Sequence, residues 1–277
     1  MSATDVVTLD RGNGTSCRIH RFGATVISWM CKNEEHIFVS SKAIFDNKKA
    51  IRGGIPIVFP NFGPWECGPQ HGFARIRTWQ LSQPPTKDST GNIMATFTLE
   101  DTEDTRKMWN HRFKLTYKMT LLEETLQMEF TIENTGTEEF AFTCLLHTYF
   151  RVPDVRTVTI SSLKGLTYTD KVKDDAKDVE QRDLVSIQEN VDRVYIDTPT
   201  EHAIGNTAGG KTLLLQKYNL PDTVVWNPWQ EKAAAMADLG DDDYVTMVCV
   251  EAGAVATPHT LAPSHSFQAR QTFVVSA

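Results

Sequence analysis

The sequence is poor in the features that mark the commoner classes of protein. Its cysteines number five in 277 residues, an odd count at wide spacing, and no C-x-x-C occurs. That excludes the usual spacing of a zinc site or a disulfide frame and points to reduced thiols in a cytoplasmic protein. Cys144 and Cys249 stand in apolar runs and read as small core residues rather than nucleophiles. No stretch approaches the ~20 apolar residues of a membrane span. The opening residues, MSATDVVTLDRGNG, lack the basic and apolar segments of a secretory leader, and FVVSA at the other end carries no retention or peroxisomal signal. Basic charge is also short: 28 Lys and Arg stand against 35 Asp and Glu, a net charge of −7 with no basic stripe, so nucleic acid is not an expected partner. The eight histidines are scattered, without H-E-x-x-H or a Cys/His cluster, and no metal is expected. G-x-S-x-G and the glycine-rich phosphate loops are missing as well.

What the chain has is alternation. Leu115, Tyr117, Met119 and Leu121 alternate with polar residues, then Leu126, Met128, Phe130 and Ile132, then Phe140, Phe142 and Cys144, with turns at 123–125 and 134–137. Period-2 patterning over three segments predicts an antiparallel meander with one buried face. Segments 16–21, 24–31, 36–40, 78–83, 93–99, 213–216, 223–226, 246–251 and 267–275 add further strands. Asn227-Pro228 predicts the start of one helix that runs through EKAAAMADL toward Gly240. The charged run 171–183 reads as a solvated loop. Without a repeat or a linker-like composition break, residues 1–277 are expected to form one all-β domain, a large antiparallel β-sandwich with few short helices.

One stretch does not fit a sandwich strand. Residues 52–75, RGGIPIVFPNFGPWECGPQHGFAR, hold glycines, prolines and rings between two arginines. Ile55 to Phe59 can make one short strand, confined to an edge by Pro56. The rest is expected to be an ordered loop, and long ordered loops in compact domains are usually functional. Arg52 and Arg75 either clamp an anion, since guanidinium matches phosphate oxygens, or are surface charges. Two titratable residues stand out elsewhere. Glu251 ends the apolar run 245–250, where a raised pKa would suit a general base, or it simply meets water at a strand end. His147 lies where the third alternating strand runs out, as an acid–base group or as a hydrogen-bonded histidine at a sheet edge.

RGGIPIVFPNFG, QHGFAR, LLHTYFRV, NLPDTVVWNPW and VCVEAG occur in one order. That set closely resembles the hexose-6-phosphate mutarotases, or glucose-6-phosphate 1-epimerases, of the aldose 1-epimerase superfamily, from about Phe22 to Phe273. The resemblance implies the galactose-mutarotase-like supersandwich and interconversion of hexose 6-phosphate anomers by ring opening and closure, with no cofactor. It implies that His147 protonates the ring oxygen and Glu251 takes the proton of the anomeric hydroxyl. Arg52, Gln70 and Arg75 would bind substrate, the arginines on the phosphate. His71 would contact the sugar, and Asp192 would hold hydroxyls or orient His147, with Asp197 the alternative acid. Trp226, Phe59 or Trp65 would line the pocket, and Trp29 and Trp79 would sit in the core. Where the family often has proline after the glutamate, this chain has Ala252. A monomer is expected, with a small hexose phosphate as its only partner. Two rival readings remain, a mutarotase of unphosphorylated aldoses and a sugar-phosphate binding protein without catalysis. A glycosidase would need two placed carboxylates, and the sequence offers one.

Overall fold

Alternation in the sequence becomes register in the computed structural model, which describes residues 5–276. Residues 1–4 and Ala277 lie outside it. Phe113–Leu121 and Thr125–Asn134 pair antiparallel, Tyr117 opposite Phe130 and Met119 opposite Met128, and each buries every second residue. They sit inside an eight-stranded sheet. Its order is Thr159–Ile160, Glu201–Gly205, Thr212–Tyr218, Ser266–Ser276, Thr125–Asn134, Phe113–Leu121, Ile93–Glu100 and Gln80–Lys87.

The third alternating segment does not extend that meander. Phe140–Leu146 crosses to a second eight-stranded sheet, where it pairs with Met247–Leu261 on one side and Ile57–Val58 on the other. The cause lies at the crossing: Asn134 Nδ2 donates to the carbonyls of Glu138 (2.8 Å) and Leu261 (2.9 Å), tying the departing chain to the other sheet. Residues 142–150 are all buried, so alternation carries no pairing information there. The second sheet continues outward from Met247–Leu261 through Asp222–Asn227, Val191–Tyr195, Thr167–Asp170 and Ala176–Val179. Tyr149–Arg151 pairs with the first part of Met247–Leu261, Tyr149 opposite Cys249. A four-stranded sheet, Val6–Gly12, Thr15–His20, Thr25–Cys31 and Glu34–Glu35, completes the antiparallel framework.

The two large sheets share one apolar core, to which Tyr117, Met128 and Phe130 contribute from one side and Phe142, Val225 and Val250 from the other. Trp29, Trp79, Cys17 and Cys144 are buried in it. Ile57–Val58 is the short edge strand expected beside Pro56. Residues 36–40 form only isolated bridges, Ile37 to Phe150 and Val39 to Gly53. The expected helix is shorter than its pattern: Trp229–Ala235, with Asn227 Oδ1 accepting from the Trp229 N–H at 2.9 Å. It stops because Leu239 turns back to pack with Ala233, Phe38, Tyr149 and Met247. A second helix, Glu103–Met108, is held by reciprocal bonds between Thr102 and Thr105. Among the described residues no helix is long and apolar enough to cross a membrane.

Candidate active site

The first eight residues of Met247–Leu261 are covered on both faces. Val248, Val250 and Ala252 enter the core between the sheets, so Met247, Cys249 and Glu251 point the other way. Register carries that outer face across the sheet. Trp226 lies opposite Cys249, Asp192 opposite Trp226, and Val224 opposite Glu251. On the other side come Tyr149 and, two residues earlier, His147, whose ring stacks on Tyr149 at 4.8 Å and meets the Trp226 edge at 6.0 Å. Glu251 therefore sits within a 15-residue strand and not at the end of one, and is 1% exposed.

Loop 52–75 closes over this face. Gly54, at φ +74°, lets the chain pass Val26, whose carbonyl oxygen would lie 2.2 Å from a Cβ there. Gly72, at φ +72°, does the same against the Phe59 carbonyl at 2.1 Å. The loop delivers Arg52, Gln70, His71 and Arg75 to a cavity of about 580 Å³ that His147, Asp192, Trp226 and Glu251 also line. All seven expected site residues thus meet in one place. Asp197 does not; its N–H donates to Asp222 Oδ1 at 3.3 Å in a turn elsewhere. Phe59 is fully buried in the core and Trp65 packs against it, so of the expected rings Trp226 alone lines the cavity, joined by Phe62. The run 171–183 is mostly exposed but is not the solvated loop expected: Ala176–Val179 pairs with Thr167–Asp170, Glu180 is buried against Arg182 and Tyr195, and Lys171, Asp174 and Asp175 stand at the cavity. Tyr149, inside the HTYF motif, is a further site neighbour.

The electrostatics follow from burial. His147 Nδ1 lies 3.4 Å from Glu251 Oε1, and neither His147 Nδ1 nor Glu251 Oε2 has a hydrogen-bond partner. Burial, then the charges of Arg75 and Arg52 beside His71, lower His147 well below the usual histidine range. Burial, reinforced by Asp192, raises Glu251 well above the usual carboxylate range. Both shifts favour the neutral forms, imidazole and carboxylic acid. Burial also lifts Asp192 to about 6. His71 is pushed down to about 3 by burial and the two arginines; its Nδ1 accepts the Gly63 N–H at 3.1 Å, which puts its proton on Nε2. Arg52 Nε pairs with Asp238 at 3.1 Å and its Nη1 donates to the Tyr149 hydroxyl at 3.2 Å. Among the described residues Arg75 has no such acid. Its Nη2 donates to the Gln70 carbonyl at 2.9 Å and its Nε is buried without a partner.

Unpartnered buried polar atoms are rare, and the convergence of three of them, His147 Nδ1, Glu251 Oε2 and Arg75 Nε, on one cavity marks a ligand site. One donor atom each from His147, Cys249 and Glu251 lies within 4.8 Å of the others. Three donors fall short of a closed tetrahedral set, and Cys249 packs among Phe38, Tyr149 and Met247, with burial holding its thiol protonated. The arrangement is better suited to moving a proton between an imidazole and a carboxyl than to holding a metal.

Comparison with known proteins adds to this geometry. The family model described as aldose 1-epimerase matches residues 5–274. A protein of Cenchrus ciliaris called "putative glucose-6-phosphate 1-epimerase" is 38% identical over 97% of this chain and 84% of its own length. One of the same name from Salmonella typhimurium is 34% identical over 92% of this chain and 85% of its own. The crystal structure of a putative mutarotase from Salmonella typhimurium superposes with a TM-score of 0.90 at 31% identity, covering 99% of this chain and 92% of that one.

Proposed function

Because the chain belongs to the aldose 1-epimerase family and is an isomerase, we propose that it interconverts the α and β anomers of hexose 6-phosphates, chiefly D-glucose 6-phosphate, as a single β-sandwich domain. The observation that carries this reading is the buried pair, His147 Nδ1 and Glu251 Oε2, unpartnered in a cavity that also holds Arg75 Nε without a partner. The relatives' names give the substrate class, and Arg75 supplies a reason for it. A neutral sugar has no use for a half-buried guanidinium with no acid beside it, whereas a phosphate does.

The chemistry needs one proton delivered and one removed. His147 protonates the ring oxygen as Glu251 takes the proton of the anomeric hydroxyl; the C1–O5 bond breaks and C1 becomes an aldehyde. Rotation about C1–C2 and the reverse transfers close the ring on the other face. The pair begins and ends with a single proton, so each turnover restores it. Burial favours the neutral imidazole and carboxylic acid; passing the proton from Glu251 to His147 across the 3.4 Å contact makes the imidazolium and carboxylate that the reaction uses. Sugar hydroxyls donating to the carboxylate favour that form. Asp192 and Gln70 hold hydroxyls, and Arg52, tied to Asp238, supports Arg75 at the phosphate.

Exchange NMR of glucose 6-phosphate and of glucose, each with and without protein, tests the reading. Acceleration confined to the 6-phosphate supports it. Acceleration of glucose alone keeps the acid–base pair and transfers the activity to unphosphorylated aldoses, a reading that the Arg52–Asp238 pair favours. Binding without acceleration of either leaves a sugar-phosphate binding protein.

A further inference from the structure

The cavity is electrically two-ended. Arg52 reaches the Tyr149 hydroxyl at 3.2 Å. From Tyr149 the register runs through Cys249 and Trp226 to Asp192, three strand spacings or about 14 Å away. At that far side the turn after Thr167–Asp170 comes in, its Lys171 N–H donating to the Asp192 carbonyl at 2.8 Å. Asp174 and Asp175 on this turn line the cavity with Asp192. Lys171 Nζ pairs with Asp175 at 2.7 Å, which leaves Asp192 and Asp174 outside any ion pair among the described residues. Glu251, 1% exposed with Oε2 unpartnered, opens into the same space between the two ends.

A pyranose oriented by its phosphate meets this wall at one carbon. C5 bears the C6 phosphate, and the ring atom diametrically opposite C5 is C2. With the phosphate at the arginines, and O5 and O1 at the His147–Glu251 pair, the C2 substituent is the one presented to Asp192 and Asp174. A hydroxyl there satisfies one carboxylate as a donor. An ammonium there supplies three donors and a charge opposite to that of the two carboxylates left outside ion pairs; of the lysines whose charge acts on Asp192, Lys171 lines the cavity and is engaged by Asp175, and Lys232 is the other. We infer that the pocket also takes 2-amino-2-deoxyhexose 6-phosphates as anomerisation substrates, their C2 ammonium held between Asp192 and Asp174. This rests on the reading of the cavity as a hexose 6-phosphate site. It extends that reading to a cationic class of sugar and makes the 171–175 turn a reader of C2. The N-acetyl derivative, neutral and bulkier at C2, is disfavoured by the same wall.

The test compares D-glucosamine 6-phosphate, N-acetylglucosamine 6-phosphate and glucose 6-phosphate by exchange NMR, each corrected for its buffer rate. An amine of this kind titrates in the α-amino range, about 8, so the comparison is made at about pH 6.5 and about pH 9. The expected result is acceleration of glucosamine 6-phosphate with a kcat/KM at least equal to that of glucose 6-phosphate at the lower pH. That ratio falls at least about threefold at the higher pH, where the amine is neutral. Asp192→Asn lowers the ratio about tenfold, the loss of one charged hydrogen bond. Asp174→Asn, at an exposed position where folding is not at stake, lowers it about threefold. If glucose 6-phosphate is accelerated while glucosamine 6-phosphate stays at its buffer rate, the inference is overturned and the proposed function stands. A ratio indifferent to pH and to both variants overturns the acidic wall as reader of C2. Acceleration of neither sugar overturns both readings.

Discussion

Single atoms set the strictest conditions here. Glu251→Gln keeps the shape of the side chain and removes its capacity to take a proton. It is expected to lower kcat by about 10²–10⁴ while leaving sugar-phosphate binding, measured by titration, nearly intact. Full activity in that variant would take the base role away from Glu251. Arg75→Met is expected to raise KM for glucose 6-phosphate, at a cost of about 2–5 kcal/mol if the bond is buried. Because Arg75 Nε has no partner in the protein, the same change is expected to leave Tm level or raise it. An unchanged KM would remove Arg75 from the phosphate. The proton shared by His147 and Glu251 also fixes a pH window. The singly protonated pair is lost on the acid side only when His147 protonates, below the usual histidine range. On the alkaline side it is lost when Glu251 ionises, above the usual carboxylate range. The profile of kcat is therefore expected to stay level through neutrality, with its acid limb below about 6.5. A limb centred at the unperturbed histidine value would contradict the burial of His147.

At the scale of elements, loop 52–75 and the strand it covers depend on close backbone passage. A Cβ at Gly72 would meet the Phe59 carbonyl oxygen at 2.1 Å, and its φ of +72° already disfavours other residues. Gly72→Ala is expected to part the Phe59–Gly72 bridge and displace His71 and Arg75. Together strain and clash amount to about 1–3 kcal/mol, read as a lower Tm and a raised KM. Wild-type kinetics in this variant would mean that the loop does not hold the arginine in place. The elements also show what a linear pattern reveals. Phe113–Leu121 and Thr125–Asn134 were legible because one face is wet and the other dry, so period 2 is written into them. The partner of Phe140–Leu146 was not, because both its faces are covered and its place is set by Asn134 and Leu261, far apart in the chain. The Glu103–Met108 helix did carry a signal, Thr102 and Thr105 around two acids with Arg106 and Lys107 following, but over only six residues. His147, Glu251 and the two arginines were legible through motif order. Lys171, Asp174 and Asp175 were not, since an exposed charged turn looks the same whether it faces bulk water or a cavity.

Over the whole molecule, two buried histidines away from the cavity add to the response to acid that His71 and His147 make within it. His36 and His202 are 1% and 0% exposed, and burial lowers both to about 4. Their folded values lie below the unfolded one, so their contribution is complete above about 6.5 and is lost as pH falls through about 4. Each represents about 3 kcal/mol over that interval. His202 is bonded at both nitrogens, to the Ser161 carbonyl and the Thr223 hydroxyl, whereas both His36 nitrogens lack partners. His36→Leu is thus expected to flatten the decline of unfolding free energy between pH 7 and pH 4.5 without loss at neutrality. Denaturant titration at the two pH values checks this, and an unaltered slope would place the acid sensitivity elsewhere. Along residues 247–252, even-numbered side chains build the core between the sheets and odd-numbered ones face the other way, Met247 and Cys249 into a second apolar cluster and Glu251 into the cavity. Val248→Ala should lower stability by about 1–3 kcal/mol with kcat/KM unmoved. Paired with a change at Glu251, its effect should add independently. A strand divided in this way is evolvable: drift in the thermal tolerance of the sheet need not disturb the reaction it carries, and selection on the reaction need not loosen the sheet.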